Sequence, residues 1–204
     1  MDINGKKAIV FGGTSGIGLS ATQMLSDKGA HVIALSRNPD KLKTVPKNVT
    51  TKKMNVLDRD ALEKFFQEVG EYDILVNSAT GGARAVGPFL SMDLDGYRAS
   101  FDKLWGYTNV VRYGTKFLKD NGNIVLVSGS PARKCRPGQI AISSVGGAVE
   151  AFARGIAPEI APKRINIVSP GIIDTPMSPL QGKEREDYYK TVSYTHLTLP
   201  TTYT

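Results

Sequence analysis

Residues Gly12 to Gly18 read GGTSGIG, with glycines spaced Gly-xxx-Gly-x-Gly between an apolar run and an amphipathic one. Glycines at that spacing let main-chain N–H groups close around a diphosphate, and a helix starting there adds free N–H groups and the positive end of its dipole. A structural glycine turn is the plainer alternative, and the setting between a strand and a helix favours the diphosphate. The second apolar run ends at Ser36-Arg37, where a cofactor with a free ribose 2′-hydroxyl usually meets a carboxylate. A hydroxyl and a guanidinium match a phosphate instead in shape and charge. NADP(H) is therefore favoured over NAD(H), the alternative for Arg37 being a solvated surface arginine. Two later segments, GGARAVGPF (Gly81 to Phe89) and SPARKCRPG (Ser130 to Gly138), hold Arg84, Arg133, Lys134 and Arg136. At the mouth of a site such cations favour a carboxylate or phosphate ligand, and Arg84 and Arg133 become substrate-binding candidates; otherwise they are loop charges facing water.

Short apolar runs alternate with longer helical patterns along the chain. Strands are expected at Lys7 to Phe11, His31 to Ser36, Val49 to Asn55, Asp73 to Asn77, Asn123 to Ser128 and Arg164 to Ser169. Helices are expected at Gly16 to Lys28, with Ile17, Ala21, Met24 and Leu25 along one side, and at Asp58 to Val69, with Leu62, Phe65 and Phe66 inward. Tyr97 to Leu118 keeps a three-four spacing for six turns, and Gln139 to Glu159 carries Ile142, Val145, Val149, Phe152 and Ile156 on one face. Apolar strands alternating with helices predict an α/β fold, a doubly wound parallel sheet of Rossmann-like form in a single domain. In such sheets ligands bind outside the carboxyl ends of the strands, where the glycine loop and both cationic segments fall.

A chain of 204 residues with 41% hydrophobic and 22% charged residues is ordinary for a globular domain. The net charge of +7 comes without a basic stripe interleaved with aromatics, so nucleic acid is not an expected partner. No run approaches a membrane span. A single cysteine and two histidines leave no disulfide framework and no expected metal site. No signal peptide is recognisable, and a cytoplasmic setting fits. Residues 191–204 contain no charged side chain and six threonines, with Pro200 among them. They are expected to be a non-native or disordered tail, outside a dinucleotide-binding domain at residues 1–190.

Over Lys6 to Met177 the chain resembles the short-chain dehydrogenase/reductase family. Its glycine loop is similar to the family's TGxxxGIG, with Phe11 where threonine is usual, and its SPGIIDTPM (Ser169 to Met177) is similar to the family's PGxxxT segment. The resemblance implies that Gly12, Thr14, Ser15, Gly16, Ile17 and Gly18 hold the pyrophosphate. It places Asn55 and Val56 at the adenine, Asn77 of NSAT at the family's NNAG, and Pro170, Gly171, Ile173 and Thr175 along the nicotinamide side. It also implies a small-molecule substrate and a homo-oligomer, dimer or tetramer. The family continues with a further helix pair and a last strand, so the chain reads as truncated.

The family's catalytic residues do not carry over. Its Tyr-xxx-Lys pair falls on Ile142 and Gly146, its serine on Gly129 between Ser128 and Ser130, and its assisting asparagine on Lys103. No tyrosine lies between Tyr113 and Tyr188, and no lysine in that interval stands four residues after a tyrosine. Proton transfer would fall to Ser128, Ser130, a water, or the pair Lys103 and Tyr107. Lys103 is expected to project from its helix toward the space above Gly146, with Tyr107 one turn further on; the alternative leaves Lys103 solvated and Tyr107 in the core. Gly146 and Gly147 each cost a helix about 1 kcal/mol, which close packing at a dimer interface or room for a bulky group would offset. Two function classes stay open. One is an NADP(H)-dependent oxidoreductase for a small, anionic carbonyl or alcohol compound, with a non-standard active site. The other is an NADP(H)-binding sensor or partner protein without turnover.

Overall fold

Six strands pair in parallel in the order β3-β2-β1-β4-β5-β6, and the central ones are apolar runs. They are β1 (Lys7–Phe11), β2 (His31–Ser36), β3 (Val49–Lys53), β4 (Tyr72–Asn77), β5 (Leu118–Val127) and β6 (Arg164–Val168). The computed structural model describes residues 2–42, 44–176, 178 and 180–196. The chain divides into two units, Met1–Gly171 and Ile172–Thr204. The first holds the whole sheet with helices α1 (Gly16–Asp27), α2 (Arg59–Val69), α3 (Leu94–Ala99), α4 (Asp102–Gly114) and α5 (Ile140–Ile156); α6 (Gly182–His196) belongs to the second. The expected doubly wound parallel sheet is the observed one.

Every residue of β4 is buried, as a central strand covered on both faces requires. The larger of two clusters centres on Phe11, Phe65, Phe66 and Tyr72, and Phe66 stacks on Tyr72 with ring centroids 5.9 Å apart. Each such buried ring contributes about 1.5–3 kcal/mol. The second cluster, Ala8, Val10, Val32, Ala34, Ile74 and Val76 among others, fills the opposite face. α2 starts at Asp58, whose carboxylate accepts the N–H of Ala61 as an N-cap, and buries Leu62, Phe65 and Phe66 as expected. Asp73, buried at the start of β4, is held by the Lys7 N–H and the Lys119 and Lys6 amines.

Three expectations need correction. α1 turns Gly18, Thr22 and Ser26 inward, so Met24 is exposed. Small residues let α1 lie close enough for the Thr22 hydroxyl to donate to the Gly13 carbonyl at 3.0 Å. The run from Tyr97 to Leu118 is not one helix. α3 ends at Ala99, where Ser100 donates to the Gly96 carbonyl and accepts the Ala85 N–H, anchoring the preceding loop. Leu118 belongs to β5, opposite Tyr72. Lastly, the boundary set at residue 191 falls inside α6, which continues to His196; residues 197–204 lie outside those described. No helix among the described residues is long and apolar enough to cross a membrane.

Candidate functional site

The strand order reverses direction at β1, flanked by β2 on one side and β4 on the other. The crevice beyond the carboxyl ends of these strands is where the glycine loop sits. Gly12 adopts φ +76°, a conformation that strains any side chain, and its N–H donates to the Leu35 carbonyl at 2.7 Å. A Cβ on Gly18 would run into the Gly12 carbonyl oxygen and the Ser78 hydroxyl. Ser15 caps α1 in extended conformation without a side-chain hydrogen bond, and no acidic residue occupies the first turn. The leading N–H groups of α1 at Gly16, Ile17 and Gly18 therefore face the crevice without an internal acceptor. This is a surface onto which a diphosphate fits.

Thr14, buried, donates its hydroxyl to Ser36 at 2.8 Å, and joins the loop to the end of β2. Arg37 is exposed and donates from Nη1 to the Gly81 carbonyl at 3.4 Å. The adenosine end thus presents Ser36 and Arg37. Asn55 is exposed, its Oδ1 accepting the Leu57 N–H at 3.1 Å, while Val56 is buried. Asn77 ends β4 fully buried; its Oδ1 accepts the Ala79 N–H, and its Nδ2 has no partner among the described residues. A buried orphan donor at the floor of the crevice is a second sign of fit to a polar ligand. Pro170 accepts the Ser130 N–H at 2.8 Å and ties the ends of β5 and β6 together. Gly171 is exposed at the close of the first unit. Ile173 and Thr175 fall in the second unit, where their carbonyls accept Tyr189 at 3.3 Å and Arg185 at 2.9 Å.

The proposed catalytic residues separate sharply. Ser128 is buried and donates its hydroxyl to the Gly146 carbonyl at 3.1 Å. Ser130 opens a 3-10 turn, Ser130–Ala132. Lys103, in the first turn of α4, donates from Nζ to the Ser128 carbonyl at 3.3 Å. Burial, with the charge of Arg84 added, pulls its amine down from 10.5 to about 8. Tyr107 corrects the expectation made for it: the ring is wholly enclosed and its hydroxyl donates to the Val127 carbonyl at 2.9 Å, so burial pushes the phenol far up and removes it from proton transfer. The glycine at 146 is explained within this chain. A Cβ there would lie 2.9 Å from that of Ala132 and 3.2 Å from the Ser128 hydroxyl. That packing accounts for Gly146 within this chain, and nothing in the structure explains Gly147.

Arg133 is engaged within the chain through one of its nitrogens. Its Nε lies 3.2 Å from Glu150, a buried carboxylate on α5 that also accepts the Ser169 hydroxyl at 2.7 Å. The Ser169 hydrogen bond, working against burial and joined by Arg133, holds Glu150 below the usual carboxylate range. Arg133 thereby braces the loop through Nε while most of its side chain stays exposed, and Arg84 acts electrostatically on Lys103. Sequence reasoning missed Glu150, although a lone carboxylate on an apolar helix face was the signal. Among the described residues no group of three or more His, Cys, Asp or Glu could hold a metal ion.

The comparisons with known proteins agree with this geometry. The chain is 32% identical to the 3-oxoacyl-(acyl-carrier-protein) reductase FabG of Thermotoga maritima, over 91% of this chain and 82% of that protein. It is 31% identical to the 2,3-dihydro-2,3-dihydroxybenzoate dehydrogenase of Bacillus subtilis, over 86% and 72%. Among solved structures, a short chain dehydrogenase from Burkholderia cenocepacia in complex with NADP superposes with a TM-score of 0.80 at 26% identity, covering 96% of this chain and 86% of that one. The short chain dehydrogenase family profile matches residues 6–186. With that match spanning the glycine crevice and α5 alike, the chain belongs to the short chain dehydrogenase family.

Proposed function

We propose that the protein is an NADP(H)-dependent oxidoreductase acting on a small carbonyl or alcohol compound that bears an anionic group. The observation that carries this reading is the adenosine end of the crevice, where Thr14, Ser36 and Arg37 stand together at the tip of β2. A 2′-phosphate would meet the guanidinium and hydroxyl there, as the charge and shape of both favour. The loop Gly12, Thr14, Ser15, Gly16, Ile17 and Gly18 would hold the pyrophosphate. Asn55 and Val56 would border the adenine, and Asn77, Pro170 and Gly171 would serve the nicotinamide half. When bound, the nicotinamide supplies or accepts hydride. The protein's own part is to orient the two reactants, which lowers the barrier by fixing their approach, and to manage the proton. The exposed Arg84 supports the anionic substrate. The complex of the Burkholderia cenocepacia relative with NADP supports the cofactor.

Fluorescence titration with NADPH and NADH tests the reading directly. Tighter NADPH binding, with NADPH consumed when small oxo acids are added, supports it. Binding without consumption by any carbonyl compound would instead indicate a cofactor-dependent sensor. Binding of neither nucleotide would end both readings.

A further inference from the structure

Gly81 adopts φ +73°, and a Cβ on it would collide with the main chain of Asp102 and Lys103. The loop after β4 is therefore pressed against the first turn of α4. From that turn Lys103 reaches Nζ to within 3.3 Å of the Ser128 carbonyl, at the carboxyl end of β5. The same ammonium lies 5.5 Å from the centroid of the Tyr107 ring. A carbonyl oxygen and a ring face both favour positive charge without neutralising it. No carboxylate pairs with Lys103 among the described residues, while Arg84 opposes its charge from the loop after β4.

The other charged groups nearby are engaged elsewhere. Asp102 turns its carboxylate toward Gly82. Tyr107 is enclosed. On the α5 side, Glu150 is taken by Arg133 and Ser169, and Arg37 donates to Gly81. Ser128 has committed its hydroxyl to Gly146, and Ser130 has no base beside it to activate its hydroxyl. On α5, Ile142 and Gly146 carry no side-chain proton donor, and the Ser144 hydroxyl accepts that of Tyr97 at 2.9 Å.

Resting on the cofactor reading above, we infer that Lys103 is the acid–base residue of this site, giving a proton from Nζ to the substrate oxygen during reduction and taking it back during oxidation. In the reducing direction the C–H bond forms with the hydride and both electrons delivered from NADPH. The C=O π pair moves onto oxygen, an N–H bond of Lys103 breaks, and its proton forms the O–H bond. NADP and a neutral amine remain, and the amine regains its proton from solvent. The Ser128 carbonyl holds one N–H of the ammonium, which leaves the others to face the crevice. A lysine at this depth gives up its proton far more readily than a solvated one, as a general acid near neutral pH requires.

The test uses the full-length protein, with K103M and K103R as variants. Lysines are ¹³C-dimethylated and titrated by NMR, and Lys103 is assigned by the signal missing from K103R. NADPH binding is followed by fluorescence, and single-turnover NADPH oxidation is measured with acetoacetate and with diacetyl as anionic and neutral probes. The expected result is a Lys103 titration near pH 8 that shifts on addition of NADP, whose ring is cationic and whose phosphates are anionic. K103M then binds NADPH within about twofold of wild type but oxidises it about 10² to 10⁴ times more slowly, and the break near pH 8 in the rate profile disappears. K103R fails to restore the rate, because a guanidinium keeps its proton; a merely structural or electrostatic role would be rescued by it. A titration at the ordinary lysine value, one that NADP leaves unmoved, or a wild-type rate in either variant overturns the assignment. The NMR arm decides even where neither probe turns over. Loss of NADPH binding by the wild-type protein brings down the cofactor reading itself, and is distinguished by the titration with fluorescence.

Discussion

The hydroxyl of Ser128 donates to the main-chain carbonyl of Gly146 at 3.1 Å, tying the end of β5 to the middle of α5. That bond, with Ala132 packed against the same glycine, closes the space beside α5 at this position. The helix lies too close to the β5–α5 turn for a side chain at 146 to stand upright.

Substitution at this glycine follows directly. Gly146→Ala gains about 1 kcal/mol of helix propensity, but its Cβ would lie 2.9 Å from that of Ala132, and such overpacking costs about 1–3 kcal/mol. Net destabilisation in urea denaturation is expected. Ala132→Gly in the same chain should recover part of it, visible as coupling in a double-mutant cycle.

Arg37 decides between nucleotides if it meets the 2′-phosphate. Arg37→Ala is expected to weaken NADPH binding by about ten- to a hundredfold, from a charge-assisted contact of about 1.5–3 kcal/mol. NADH binding should barely change. Paired fluorescence titrations read both affinities, and an equal loss for the two nucleotides would move Arg37 away from the phosphate.

Lys103 has a cost in stability whose pH dependence can be stated with its sign. Burial lowers the folded amine from 10.5 to about 8, so between those values the unfolded chain binds more protons than the folded one. Stability then rises with pH across that window. The penalty is full below about pH 8 and gone above 10.5. K103M is expected to melt at or above the wild-type temperature at pH 7, with the gap closing toward pH 10. Differential scanning calorimetry at several pH values measures it.

Glu150 behaves in the opposite sense. Its carboxyl is held low by Ser169 and, beyond the opposing effect of burial, by Arg133. Its stabilising contribution is present above the ordinary glutamate value and is lost as pH falls through the lower folded one. Glu150→Gln should lower the melting temperature at pH 7. The difference from wild type should shrink on acidification, as seen by circular dichroism melts between pH 7 and pH 3.

The sheet was readable from residues because its strands are nearly pure apolar runs. Tyr72–Asn77 is buried throughout, and no amphipathic helix explains such a segment. The glycine loop was readable because its spacing carries a steric demand, which Gly12 and Gly18 meet. The break between α3 and α4 was not readable. The apolar spacing runs straight through Ser100, and only the tertiary bond from the Ala85 N–H marks that serine as an anchor. The start of β5 was hidden too, because Lys119 to Gly122 is polar and falls in the irregularity between Leu118, opposite Tyr72, and Asn123, opposite Ile74. At the site, the absence of Tyr-xxx-Lys was a fact of the sequence. That Tyr107 is enclosed while Lys103 reaches Ser128 depends on how α4 meets β5, which no local pattern encodes.

The Lys7 N–H donates to the Asp73 carboxylate across 66 residues, at the foot of the β1–β4 pair that forms the centre of the sheet. On a ribosome, β1 and β2 can meet early, but the partner on the other flank emerges only after β3 and α2. Closing so long a loop is entropically costly and slow. The crevice is thus a late product of biosynthesis, and until then β1 stands with one row of main-chain N–H and C=O groups unpaired.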